Sequence, residues 1–197
     1  MGYTIRYAVL LLSIIAFIFA LLGTVPLPYL VRKLNQTYMQ NGEVVATLWS
    51  IYATKIQLGK DTTMAVPPTR EIRNYRLHCD EERNRFKAMQ IFAILGVVFG
   101  FYAILMSCLQ CCCYLKVKLP LFFIFALSFL SEIILILIGI SLYRNTGCKG
   151  KPDAFASFKD ANYTFKTSFV MQILCCLTYL LCLVLTPYTQ GLRHGKF

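Results

Sequence analysis

Charge is what this sequence has least of. Only 15% of its 197 residues are Asp, Glu, Lys or Arg, with nine acids against twenty bases. With a mean hydropathy of +0.59, that scarcity excludes an ordinary soluble domain. Four fully buried helices would leave too little amphipathic surface to cover them. Histidine is nearly absent: His78 and His194 are the only two, and they fall on opposite sides of the expected membrane. No HExxH, phosphate loop or dinucleotide fingerprint is present, and no nucleophile stands with a base. No enzyme, cofactor or metal centre is therefore expected. The formal charge is +11, but no Lys/Arg run with interleaved aromatics occurs, so nucleic acid is not an expected partner. The bases lie in loops beside apolar stretches, where they meet lipid head groups or an acidic surface.

What the chain does have is long apolar runs. Tyr7 to Val31 and Ala88 to Leu115 carry no charge, Leu119 to Tyr143 carries only Glu132, and Thr167 to Leu192 carries none. A hydrocarbon core about 30 Å thick needs roughly 20 apolar residues in a helix, and a helix satisfies its own backbone in lipid. The expected fold class is all-α transmembrane: a four-helix bundle forming one membrane domain. Its helices fall at about 5–29, 84–114, 118–143 and 165–189, and its two long loops at about 31–83 and 144–164. The first run exceeds the roughly 7–15 residues of a signal core and lacks a clear cleavage site, so it reads as a retained helix. Arg6 in the start Met-Gly-Tyr-Thr-Ile-Arg breaks the myristoylation pattern.

Four crossings put both termini on one side. The short segments there hold Arg6, Lys116, Lys118, Arg193 and Lys196 and no acid, which marks the cytoplasmic side. The two long loops are then external. Their own basic excess, ten bases to six acids in loop one and five to two in loop three, pulls the other way. The sequons Asn35-Gln36-Thr37 and Asn162-Tyr163-Thr164 both lie in the loops taken as external, making Asn35 and Asn162 glycosylation candidates. The expected location is the plasma membrane.

The nine cysteines divide by position. Cys79 and Cys148 are the only two in the external loops and form the disulfide candidate. Cys108, Cys111, Cys112 and Cys113 crowd the cytoplasmic end of the second helix. They are palmitoylation candidates, with inert apolar cysteine as the alternative. Cys108-x-x-Cys111 has a zinc-like spacing, but no second pair or His stands nearby. Cys175, Cys176 and Cys182 in the fourth helix read as small apolar residues.

Loop one holds the single tryptophan. From Val44 to Leu58 it is dense in Val, Thr, Ile, Tyr and Trp, which predicts a strand. Apolar residues on both alternating sets predict that the strand is covered on more than one side. Trp49 either seeds a small external sheet or sits in an interfacial aromatic belt. Acids at Asp80 to Glu82 suit the first turn of a helix.

The run Ala46-Thr47-Leu48-Trp49-Ser50 resembles the amastin signature. So do Cys79 followed by Arg83-x-Arg85-Phe86-Lys87-Ala88-Met89-Gln90-Ile91-Phe92-Ala93, the Cys108–Cys113 cluster, and Cys148 with Asn162-Tyr163-x-Phe165-x-x-Ser168-Phe169. The likeness runs over nearly the whole chain. It departs at the two signature cysteines, where Val45 and Lys55 stand, and at Ser50, where glycine is usual. Any role that needs a signature disulfide is thereby removed. The resemblance implies a multi-pass surface glycoprotein of kinetoplastid type with a claudin-like layout, in which a first-loop sheet carries the Trp motif. Thr47, Leu48, Trp49 and Ser50 are then the signature residues, and the sheet explanation of Trp49 is favoured.

Two intramembrane features complete the reading. Glu132, beside Ser128 and Ser131, is the one ionisable acid inside a helix, and such a residue faces the bundle interior. It is either a proton or cation relay, or a protonated carboxyl bonded to a neighbour such as Gln172 or Tyr102; the second is favoured. Gly96-x-x-x-Gly100 is a small-residue packing motif that lets another helix approach, from within the chain or from a second copy; glycine simply tolerated in a lipid-facing helix is the alternative. The expected function is presentation of an external loop for membrane, partner or self contact. The expected partners are the lipid bilayer, a second copy, or a host or partner membrane protein. The alternative function is a proton or ion transport component using Glu132.

Overall fold

The computed structural model describes residues 2–36, 39–54, 72–73, 80–112, 118–145 and 157–190. Cys79, Cys148, Cys113 and Lys55 lie outside the described residues. The elements are α1 (Gly2–Thr24), β1 (Leu30–Gln36), β2 (Met39–Ala46), β3 (Ser50–Thr54), β4 (Ile72–Arg73), α2 (Asp80–Cys112), α3 (Lys118–Arg144), β5 (Thr164–Phe165) and α4 (Thr167–Leu185). A short 3-10 helix, Thr186–Gln190, follows α4.

All four helices are long and apolar enough to cross a membrane. Their outward residues are large and apolar, among them Leu11, Ile18, Phe101, Phe123, Leu137 and Leu177. In water such a surface would be an aggregation patch; in lipid it faces a solvent of its own kind. The fold is therefore a helical membrane fold with a small antiparallel sheet in its loops, consistent with a claudin-like layout.

Three helix bounds differ from expectation, each for a local reason. The first helix stops at Thr24, not 29. Pro26 pushes Val25 out of the helical region, and the chain is already in β1 at Leu30. The second begins at Asp80, not 84. Asp80, Glu81 and Glu82 fill its first turn, favourable at the positive end of the dipole, and Asp80 and Glu81 pair with Arg83 and Arg85. At 33 residues, α2 is about 50 Å long, more than the hydrocarbon core requires. The fourth begins at Thr167 because Thr164 and Phe165 are taken into the sheet.

The chain divides into two compact units. The helical unit comprises 1–23, 92–135 and 171–197. Its core draws on all four helices: Val9, Ala16 and Ala20 from α1, Ala103 from α2, Leu121 and Phe125 from α3, and Cys175, Tyr179 and Cys182 from α4.

The sheet unit comprises 24–91 and 136–170. Its five strands run in the order β4-β3-β2-β1-β5, every neighbouring pair antiparallel. Leu30 faces Ala46 across β1–β2, and Ala46 faces Ile51 across β2–β3. The single strand expected from Val44 to Leu58 is instead a hairpin, because Thr47 turns the chain. Strand β5 comes from the loop before α4 and pairs Phe165 with Leu30. The backbone continues the junction: Lys166 N donates to Tyr29 O (3.0 Å) and Ser168 N to Pro28 O (3.2 Å). Beneath it, Phe165 stacks on Phe169 at 4.0 Å, Tyr29 meets Phe169 edge-on at 5.6 Å, and Tyr143 lies 4.5 Å from Phe165. Such ring pairs add to their area burial.

Candidate functional site

Two constellations stand out, one in each unit. The first is the turn between β2 and β3. The buried Thr47 hydroxyl donates to Ser50 O (2.8 Å) and accepts from the backbone N–H of Ser50 (2.9 Å) and of Trp49 (3.2 Å). This is the local bonding by which a threonine side chain fixes a tight turn. A further bond, Thr47 N to Ser50 O at 2.8 Å, closes it. Leu48 is driven inward, fully buried, and its carbonyl accepts from Gln90 Nε2 on α2 (2.9 Å). Trp49 is half-buried, and its indole N–H donates to Thr24 O at 2.6 Å. Thr24 is the last residue of α1, where carbonyls have no partner inside the helix. The four residues thus fasten the hairpin to the end of α1 through Trp49 and to α2 through Leu48. Trp49 lies in the turn rather than on a strand. No composition signal separates these two placements, since a strand-prone run and a hairpin use the same residues.

The second constellation lies in the helical unit. Glu132 is 2% exposed, and Gln172 is equally buried. Neither neighbour named from sequence bonds the carboxyl. Tyr102 is 50% exposed, and both amide atoms of Gln172 lack a hydrogen bond. The side chain that does interact with Glu132 is Cys175 on α4, which also interacts with Tyr179. Cys175 is therefore more than a small apolar residue. Its thiol donates to Ala16 O of α1 at 3.3 Å. Glu132 Oε2 and the Tyr179 hydroxyl are buried with no hydrogen bond.

The glycine pair of α2 belongs to the same constellation. A Cβ at Gly96 would stand 2.5 Å from Glu132 Oε1, and one at Gly100 would overlap the Tyr179 hydroxyl and lie 3.2 Å from Phe17. The two glycines therefore receive the polar tips of α3 and α4 side chains. In the sheet unit Gly139 does likewise, admitting the Tyr29 hydroxyl beside Met89. Ser128 and Ser131 bond their own helix, to Ile124 O and Ser128 O, and do not serve the carboxyl.

The remaining candidates are spread out. Cys108 and Cys111 are half-buried and Cys112 is exposed, in the last turns of α2. At the same end of the helical unit, Arg6 Nε donates to Thr189 O (3.2 Å) and Gln110 Nε2 to Thr189 Oγ1 (2.9 Å). Asn35 lies on β1. Asn162 is exposed, with φ of 59°, a left-handed conformation that Asn tolerates better than most residues. Beside it, Thr164 Oγ1 donates to Val31 O (3.2 Å). Tyr163 packs edge-on against Phe158 at 5.1 Å. Burial pushes its phenol above the ordinary tyrosine range, and Arg32 partly opposes this. Among the described residues, no three His, Cys, Asp or Glu side chains gather as a metal site.

No curated protein matches the chain. A family model described as amastin surface glycoprotein matches residues 14–186. That match covers most of the sequence, including the Thr47–Ser50 turn, the glycine pair and Glu132. With its four apolar helices, the chain is a multi-pass membrane protein belonging to the amastin surface glycoprotein family.

Proposed function

We propose that the chain resides in the surface membrane with both termini cytoplasmic, and that its sheet unit faces outward as a contact surface. The contacted object is another membrane or a partner protein with an acidic face, or a second copy. The observation that carries this reading is the Thr47–Ser50 turn. A turn bonded to both α1 and α2 holds the hairpin as a fixed piece, and a fixed piece loses less entropy on binding than a loose loop.

Charge supports the acidic partner. Lys33, Lys87, Arg144, Lys159 and Lys166 are exposed, while Asp80 and Glu81 are engaged by arginines of their own helix. Asn35 and Asn162 carry glycans in this reading, a Cys79–Cys148 bridge ties the loops, and Cys108, Cys111, Cys112 and Cys113 take acyl chains at the cytoplasmic face. No catalytic role is proposed.

The test is vesicle clustering. Proteoliposomes bearing the full chain are mixed with anionic vesicles, with neutral vesicles and with each other. Clustering that needs anionic lipid or chain on both sides, and that is lost when Lys33, Lys159 and Lys166 become Glu, supports the reading. Unchanged particle size in every mixture overturns it. Orientation is read separately. A cysteine placed at Asn162 should react with an impermeant maleimide on intact cells, and terminal tags should stay silent until permeabilisation.

A further inference from the structure

The sheet unit carries an edge that β5 leaves unfinished. Strand β1 is seven residues long, Leu30–Gln36, and β2 runs alongside it from Leu30 to Gln36. On its other side β5 pairs only with Leu30 and Val31. Among the described residues, none pairs with Arg32 to Gln36 on that side. The loop's own bonding explains the stop. Continuing the register would set Tyr163 opposite Arg32 and Asn162 opposite Lys33. Both backbones are already used: Asn162 N donates to Lys159 O (3.0 Å) and Tyr163 N to Phe158 O (3.0 Å). The left-handed φ of 59° at Asn162 also turns the chain out of line with a strand.

The open rung can be placed. Thr164 Oγ1 donates to Val31 O at 3.2 Å, so the Val31 carbonyl points to the β5 side. Along an antiparallel strand, residues that turn their N–H and C=O to one neighbour alternate with residues that turn them away. Lys33, two residues on, therefore directs both groups to the side that β5 has left. The irregularity in the β1–β2 register begins only after Leu34, so it does not disturb this alternation. Edge groups of this kind are a template for another strand.

Charge decides what can lie there. On β1, Lys33 is exposed and Arg32 half-buried; Lys159 and Lys166 are exposed on the segment that carries β5. The acids nearby are engaged. Glu43 stands opposite Lys33 on β2 and has an interaction of its own, and Asp160 accepts from Ser157 at 2.6 Å. Lysine on an edge keeps neutral and basic strands away. The same charge favours a strand rich in carboxylates, so attraction and exclusion select one class of partner.

We propose that the β1 edge from Arg32 to Leu34 accepts an extended, acidic segment of a partner protein as an added strand, in line with the place that β5 leaves. Main-chain bonds at Lys33 supply affinity, and carboxylates set against the lysines supply specificity. The proposal rests on the outward contact surface proposed above and deepens it by naming the partner's chemistry and its way of docking.

The test uses the full chain in nanodiscs, deglycosylated so that no glycan at Asn35 covers the edge. The probe is a capped, dye-labelled peptide alternating Glu and Val, followed by fluorescence anisotropy. One comparator alternates Lys and Val; the other is the acidic peptide with every backbone nitrogen methylated, which keeps its charge but cannot pair as a strand. The acidic peptide should bind, and both comparators should bind at least about tenfold more weakly, the loss expected from one or more backbone hydrogen bonds. Lys33→Gln should weaken the acidic peptide about two- to fivefold. Lys33→Pro removes the same charge and also the edge N–H, with no loss to the β2 ladder, and should weaken it about tenfold beyond Lys33→Gln. Equal binding of the methylated peptide overturns the added strand, as does Lys33→Pro matching Lys33→Gln, or an acidic peptide that stays unbound. The methylation comparison uses the wild-type chain, so a variant that fails to fold does not blunt it. Anionic vesicles that cluster while the peptide stays unbound keep the outward contact surface and overturn only the added strand. Bound peptide with no clustering supports the added strand and removes a membrane as the contacted object.

Discussion

Two regions of the molecule, the turn between β2 and β3 and the surroundings of Glu132, settle their buried polar groups in opposite ways. In the sheet unit, Thr47 bonds its own turn, Trp49 and Gln90 each take a backbone carbonyl, and Ser157 donates to Asp160 at 2.6 Å. In the helical unit, Glu132, Gln172 and Tyr179 keep buried atoms unpaired. Where bonds are complete, a side chain serves the fold and its loss should be felt as instability. Where they are incomplete, the side chain adds little to stability, and another reason is needed for its being there. The contrast turns a static description into a ranking of variants.

The largest effect is expected at Trp49. Trp49→Ala removes ring packing and the bond to the end of α1, and should cost about 3 kcal/mol of unfolding free energy in detergent. Trp49→Phe, which keeps a ring, should lose only about 1 kcal/mol. Equal losses would show that the indole bond does not fasten α1. Next comes Thr47→Val, which leaves the turn's two N–H groups without their acceptor and should cost roughly 2 kcal/mol. Unchanged thermal unfolding would remove the turn from the account.

In the helical unit the effects should be smaller and conditional. Gly96→Ala sets a methyl against the Glu132 carboxyl, and the side chain must swing aside, at about 1–2 kcal/mol. Adding Glu132→Ala should restore part of the loss, a coupling measurable in a double-mutant cycle. Strict additivity would mean that the two residues do not meet. Glu132→Gln alone should shift stability by less than about 1 kcal/mol, since Oε2 has no bond to lose; a collapse of the fold would erase the contrast. The smallest effect belongs to Asp80→Asn, an exposed pair whose loss should stay within about 0.5 kcal/mol.

The spans were legible because crossing a bilayer needs only length and apolarity, both local properties. Helix ends were less so. Pro26 and Pro28 advertise a stop, but the partner of the Thr24 carbonyl at that end is Trp49, which is 25 residues away in sequence. Strand β1 is not legible in the sequence: Leu30-Val31-Arg32-Lys33-Leu34-Asn35-Gln36 mixes charge with apolar residues, and its pairing with β2 supplies the missing order. Glu132 and the glycine pair were each visible, yet their meeting was not, because helix rotation and choice of neighbour are tertiary facts. Cys175 reads from sequence as a small apolar residue. A cysteine among leucines carries no sign that a carboxyl lies opposite.

The seam between Val31 and Thr164 joins positions 133 residues apart. A ribosome makes the β1 edge long before it makes the β5 segment that seals it, and two further helices, α2 and α3, are made in between. Until Thr164 and Phe165 emerge, that edge of the hairpin stays open to any extended peptide in the compartment. Biogenesis of this protein therefore ends with a zipper closing late, and truncation just short of β5 should yield a chain prone to quality control rather than a smaller working version.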